Sequence, residues 1–136
     1  MGSVFLTIGA VFAVLAGLLH VLIFSFESIR WRQPAIWRRF GVTSQADAEV
    51  LRPMALNQGF YNLFLAVGAL LGVAFLAAGG SLLGAGLAMT LLSVGSMLAA
   101  ALVLVISNPR LARAAATQGT LPLIAVLLVT VGALTR

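Results

Sequence analysis

The chain has 136 residues, 62% of them hydrophobic and only 8% charged, with a mean hydropathy of +1.14. Soluble domains carry roughly 25% charged residues, so a water-soluble globular domain is excluded. The formal charge of +5 sets eight arginines and no lysine against Glu27, Asp47 and Glu49, and there is no cysteine. Disulfides, thiolate catalysis and cysteine metal sites are thereby ruled out, as is Schiff-base chemistry on a lysine.

Val4 to Phe26 is free of formal charge, with His20 as its one titratable group. At 1.5 Å per residue it reaches about 35 Å, enough for a tilted transmembrane helix. It has no basic flank at its start, so it reads as a span and not as a cleaved leader. The loop that follows is the one long connection. Pro34 suits the first position of a short helix, with Ile36, Trp37 and Phe40 on adjacent faces. Arg38 and Arg39 fall opposite, and Gly41 stands where a C′ glycine would. An interfacial amphipathic helix is predicted here, with Trp31 and Trp37 as belt residues at headgroup level. Ser44 and Asp47 have the spacing of a capping box, so the second span starts nearby, with a kink or restart at Pro53.

Met54 to Ala78, Leu82 to Ser107 and Thr120 to Leu134 are the remaining apolar runs. Gly79, Gly80 and Ser81 make a tight turn between the second and third. The fourth is short and borrows Gln118 and Gly119, with Pro122 tolerated in its first turn. The expectation is an all-α integral membrane protein, a bundle of four transmembrane helices with the short interfacial helix between helices 1 and 2. It forms a single transmembrane domain over 1–136, with spans near 4–28, 50–78, 82–107 and 118–135.

Arg30, Arg32, Arg38, Arg39 and Arg52 flank the first long loop, and Arg110 and Arg113 follow the third span; only Arg136 lies at the other end. The positive-inside rule then predicts a plasma (inner) membrane protein with loops 31–52 and 108–118 cytoplasmic and both termini outside. Arginines confined to the edges of apolar runs argue against a nucleic-acid partner and for membrane lipids. Gly9, Ala13 and Gly17 recur every four residues, and Gly68 and Gly72 form a GxxxG; both patterns suit close packing inside the bundle or a homo-oligomer, most simply a dimer.

Polar side chains at membrane depth need partners, so they carry the functional reading. On the first span Ala13, Gly17, His20, Phe24 and Glu27 follow a 4-3-4-3 seam, with Glu27 about 10 Å beyond His20. On the second, Asn57, Tyr61, Phe64 and Gly68 form a matching seam, with Gln58 and Asn62 on the adjacent strip. Gln118 enters with the fourth span at the same face. His20, Glu27, Asn57, Gln58, Tyr61, Asn62 and Gln118 are therefore expected in one layer of the cytoplasmic half. Such a layer suits a ligand-binding or transport cavity for a small polar molecule or lipid headgroup. It also suits hydrogen-bonded packing in an accessory subunit, or, less readily, a lipid-directed enzyme using His20 and Glu27 as acid and base. No metal or cofactor is expected, because a spacing of seven is not a compact ligand pair.

Three stretches carry a resemblance: His20-Val-Leu-Ile-Phe-Ser-Phe-Glu27-Ser-Ile-Arg-Trp31, Asn57-Gln58-Gly59-Phe60-Tyr61-Asn62-Leu-Phe64-Leu65-Ala66, and Gln118-Gly119-Thr-Leu-Pro122. They resemble the hallmark patches of domain-of-unknown-function family 1304, the Asn-Gln-Gly-x-Tyr-Asn stretch being the most specific. The resemblance implies an integral membrane protein of about four helices and brings no activity with it.

Overall fold

The four apolar runs fold as four long helices in a computed structural model that describes residues 1–136. α1 is Gly2–Phe24, extended by a π-helical turn, Ser25–Ile29. α2, Pro34–Trp37, is the short helix of the long loop; a 3-10 turn follows it and closes on Gly41 at φ 79°. α3 is Gln45–Ala78, α4 is Leu83–Ser107 and α5 is Ala112–Leu134. All four long helices are apolar and long enough to cross a bilayer. They pack as a ring, α1 on α3 and α5 and α4 on α3 and α5, with little contact across the α1–α4 diagonal. One end carries the termini, where Gly2 lies against Thr135, and the glycine turn at Gly79 and Gly80, both with positive φ. The other end gathers the two arginine-bearing connections, with Gly41 beside the Leu111 side chain.

The helix boundaries have local causes. Ser44 caps α3 as its spacing predicts, accepting from the Asp47 N–H at 3.1 Å. The helix then runs through Pro53 without the expected restart. So close to an exposed helix start, the carbonyl freed by proline sits beside water and is cheap to satisfy.

Small residues fill the interior. Ala13 and Ala16 of α1, Ala69 of α3, Val94 and Met97 of α4 and Ala125 of α5 form the central core. Lipid is as apolar as a leucine side chain, so burying large apolar groups gains little; close backbone approach gains dispersion. The glycines serve that approach within the chain. Gly9 faces the Val129 backbone, Gly17 faces Leu70, Gly68 faces Ser93, and Gly72 and Gly86 lie where α3 and α4 touch. The two small-residue patterns are thus engaged in intrachain packing.

The long loop departs from expectation. Trp31 and Trp37 are 7% and 2% exposed, in a second core with Ala48 and Ala55 of α3, flanked by Phe40 and Val42. Neither forms an interfacial belt. The reason is the length of α3: 34 residues span about 51 Å, whereas a ~30 Å hydrocarbon core needs about 20 residues. Its first turns therefore extend past the apolar run that starts at Met54 and give the loop a protein surface to cover. The Trp31 indole N–H donates to the Ala48 carbonyl at 2.8 Å, whereas the Trp37 N–H is buried without a partner. Both Trp→Phe changes lose packed indole volume, but only Trp31→Phe also loses a hydrogen bond, so it should be the costlier of the two by about 1 kcal/mol. Thermal midpoints of the two variants in detergent would check the contrast.

Candidate functional site

At the arginine-bearing end, the π turn is the local feature that matters. The Arg30 N–H donates to the Ser25 carbonyl at 2.9 Å, five residues back, and the wider turn presents Glu27 and Ser28 together toward α3. Gly59 makes room for them: a Cβ there would lie 3.1 Å from both the Glu27 Cβ and the Ser28 backbone nitrogen. The Ser28 hydroxyl donates to the Leu56 carbonyl at 3.0 Å. Single-turn π bulges recur at functional sites, and here one positions an acid.

Glu27 is buried, and its Oε2 accepts from the Asn62 side-chain N–H at 2.8 Å. The second amide proton of Asn62 goes to the Gln58 carbonyl at 3.1 Å, so the donor capacity of Asn62 is fully used. Glu27 makes no ion pair, since the one salt bridge in the chain joins Arg52 to Glu49 at 3.7 Å. Its other carboxylate oxygen has no protein partner. Glu27 instead lines a pocket of about 240 Å³, together with Ser28, Trp31, Arg32, Arg52 and Leu56.

The remaining predicted residues divide. His20 is buried, with its Nδ1–H donating to the Ala16 carbonyl at 2.9 Å; it touches neither Glu27 nor Asn62 through a hydrogen bond. His20 and Glu27 thus share no hydrogen bond, each having its own partner. Tyr61 is 56% exposed, and Asn57 and Gln58 also face outward, Gln58 contributing only its backbone carbonyl; Gln118 is half-buried. The inward stripe of α3 runs Ala55, Gly59, Asn62, Ala66, Ala69 and Gly72, not Asn57, Tyr61, Phe64 and Gly68. Alanine and glycine take the interior for the packing reason above, which turns the aromatic rings outward. Phe60 and Phe64 stack on that outer side, with Phe60 edge-on to Phe24 at 5.2 Å. Asn57 and Gln58 are exposed on the outer side of α3 and so need no partner within the bundle. No three of the histidine and acidic side chains cluster as metal ligands.

Arg32, Arg52, Ser28 and Trp31 were not singled out as site residues by sequence, where arginine carried only a topological signal. Four arginines of the loop differ in use. Arg38 stacks over Trp37 at 5.2 Å and Arg39 over Phe26 at 5.3 Å, whereas Arg32 and Arg52 line the pocket.

Comparison with known families agrees with the three patches. The family model described as "Protein of unknown function (DUF1304)" matches residues 14–130. The chain belongs to that family. All three hallmark patches of this DUF1304 protein lie within the matched residues, and two of them meet through the Asn62–Glu27 hydrogen bond. No curated protein and no solved structure shows significant similarity to the chain.

Proposed function

We propose that this DUF1304 protein binds a small polar molecule or a lipid headgroup in the Glu27 pocket, which faces the cytoplasm. One observation carries the reading: a buried carboxylate with a free oxygen lines a cavity that also presents Arg32 and Arg52. Ionisable groups at such depth are costly and are retained where they face a cavity or a partner. Glu27→Gln keeps an acceptor for Asn62 and removes the charge. The variant should fold like the wild type and lose at least tenfold in binding, about 1.4 kcal/mol. Lipid adducts retained in native mass spectrometry of both forms would measure it. An unchanged adduct pattern would contradict the proposal.

A second reading, in which the polar layer only specifies packing in an accessory subunit, draws on Asn62, whose two amide protons are both satisfied within the chain. Under it, Glu27→Gln leaves any binding untouched.

The gathering of seven of the eight arginines toward one end supports a cytoplasmic placement of loops 31–52 and 108–118. Reporter fusions near Gln45 and after Arg136 should report opposite sides, with the first cytoplasmic.

A further inference from the structure

Resting on the binding reading above, we propose that the pocket's ligand carries a primary ammonium and a phosphate ester on one short arm. This is the aminoethyl phosphate unit, whether on an aminophospholipid headgroup or on a small soluble molecule.

The charges in the pocket are of both signs, and they are separate. Glu27 forms no ion pair with either arginine, and its carboxylate has a single protein donor, from Asn62. A ligand that brings N–H donors and positive charge completes that carboxylate. A purely anionic ligand would set a second negative charge beside that buried carboxylate, which is unfavourable. Arg32 and Arg52, by contrast, call for an anion, and guanidinium forks suit phosphate oxygens. Arg32 has no ion pair, and Arg52 has only the exposed contact to Glu49 at 3.7 Å, of a kind that contributes little and yields readily. Of the other three arginines of the loop, Arg38 and Arg39 are stacked on aromatic rings and Arg30 does not line the pocket, so Arg32 and Arg52 are the ones that can meet its ligand.

The pocket also discriminates within zwitterions. Quaternary ammonium groups are held by aromatic cages, which surround a cation that cannot donate a hydrogen bond. Only one aromatic ring, Trp31, lines this pocket, and it is tied to Ala48 through its N–H and packed on Phe40 at 5.4 Å. A carboxylate oxygen in search of donors selects a primary amine over choline. Size agrees, because about 240 Å³ falls below the ~300 Å³ at which sites for drug-sized ligands begin. The pocket suits a headgroup fragment and leaves acyl chains outside.

The test is competition in native mass spectrometry of the full chain in detergent. Equal amounts of dioleoyl phosphatidylethanolamine, phosphatidylcholine and phosphatidylglycerol are supplied, with and without soluble phosphoethanolamine. The ethanolamine lipid should bind at least tenfold more than either competitor. Glu27→Gln should erase that preference without lowering phosphatidylglycerol binding, and Arg52→Gln should weaken the ethanolamine and glycerol lipids alike. Displacement by phosphoethanolamine would identify the headgroup alone as sufficient; preference without displacement would identify the lipid as the source, and both support the proposal. Choline or glycerol lipid binding as well as ethanolamine lipid, in a manner sensitive to Arg52→Gln, would overturn the amine assignment and leave the pocket reading standing. Absence of binding by every probe would overturn both.

Discussion

Gly72→Leu should abolish the folded bundle, a loss of about 3 kcal/mol or more. At Gly72 even a Cβ would meet the Thr90 backbone nitrogen at 2.6 Å and its Cα at 3.0 Å. Those are backbone atoms, so relief requires α3 and α4 to separate, which also opens the contact at Gly86, where a Cβ would lie 2.6 Å from the Leu76 nitrogen. In a bilayer the separated faces gain lipid contacts but lose the close dispersion that holds small-residue interfaces together. Gly95, with nothing within reach of a Cβ, is the matched control: Gly95→Ala should be neutral or slightly stabilising by helix propensity. The fraction recovered as a folded, monodisperse species in mild detergent reads both. Because the contact lies within one chain, the loss should not depend on protein concentration. A Gly72→Leu chain that folds normally would show that this helix pair is not where the packing is decided.

The sequence was most legible where one physical rule acted alone. Apolar length marked the four long helices, and the Ser44–Asp47 spacing marked the start of α3. The seam through His20 and Glu27 was also legible, because seven residues is nearly two turns and both residues do point inward. The inward seam of α3 lies two positions from the expected one, through Ala55, Gly59, Asn62 and Ala66. Polarity at Asn57 and Tyr61 was taken as the sign of an inward face, whereas the size of Ala55, Gly59, Ala66 and Ala69 decided it. Asn62 alone satisfies both criteria, and it is the residue that reaches Glu27. The burial of Trp31 and Trp37 depends on how far α3 extends past its apolar run, a length that hydropathy of the run alone does not reveal. The π turn left no sequence signal, and the pocket arginines were masked by their topological role.

Asn62→Leu is the sharpest test of what the Glu27–Asn62 contact contributes. Interhelical hydrogen bonds in membranes average about 0.6 kcal/mol, because the separated helices find other partners. A contact that only aids packing should cost that much when lost. Here the deletion also strips a buried carboxylate of its one protein donor, which adds a desolvation penalty, so the expected cost is about 2–3 kcal/mol. Asn62→Asp should be worse still, since it sets two acids where the amide and carboxylate now meet. The decisive comparison is the double variant Glu27→Leu with Asn62→Leu. Replacing both members of a buried polar pair by apolar groups is often neutral or stabilising, so the double variant should recover most of the loss. Reversible unfolding in mixed micelles, read as a double-mutant cycle, should give a coupling above about 1 kcal/mol. Equal, additive costs near 0.6 kcal/mol would mean that Glu27 already draws its donors from water in the pocket. With strong coupling, the restored bundle becomes the control that binding experiments need, because it keeps the fold and lacks the carboxylate that we propose meets the ligand.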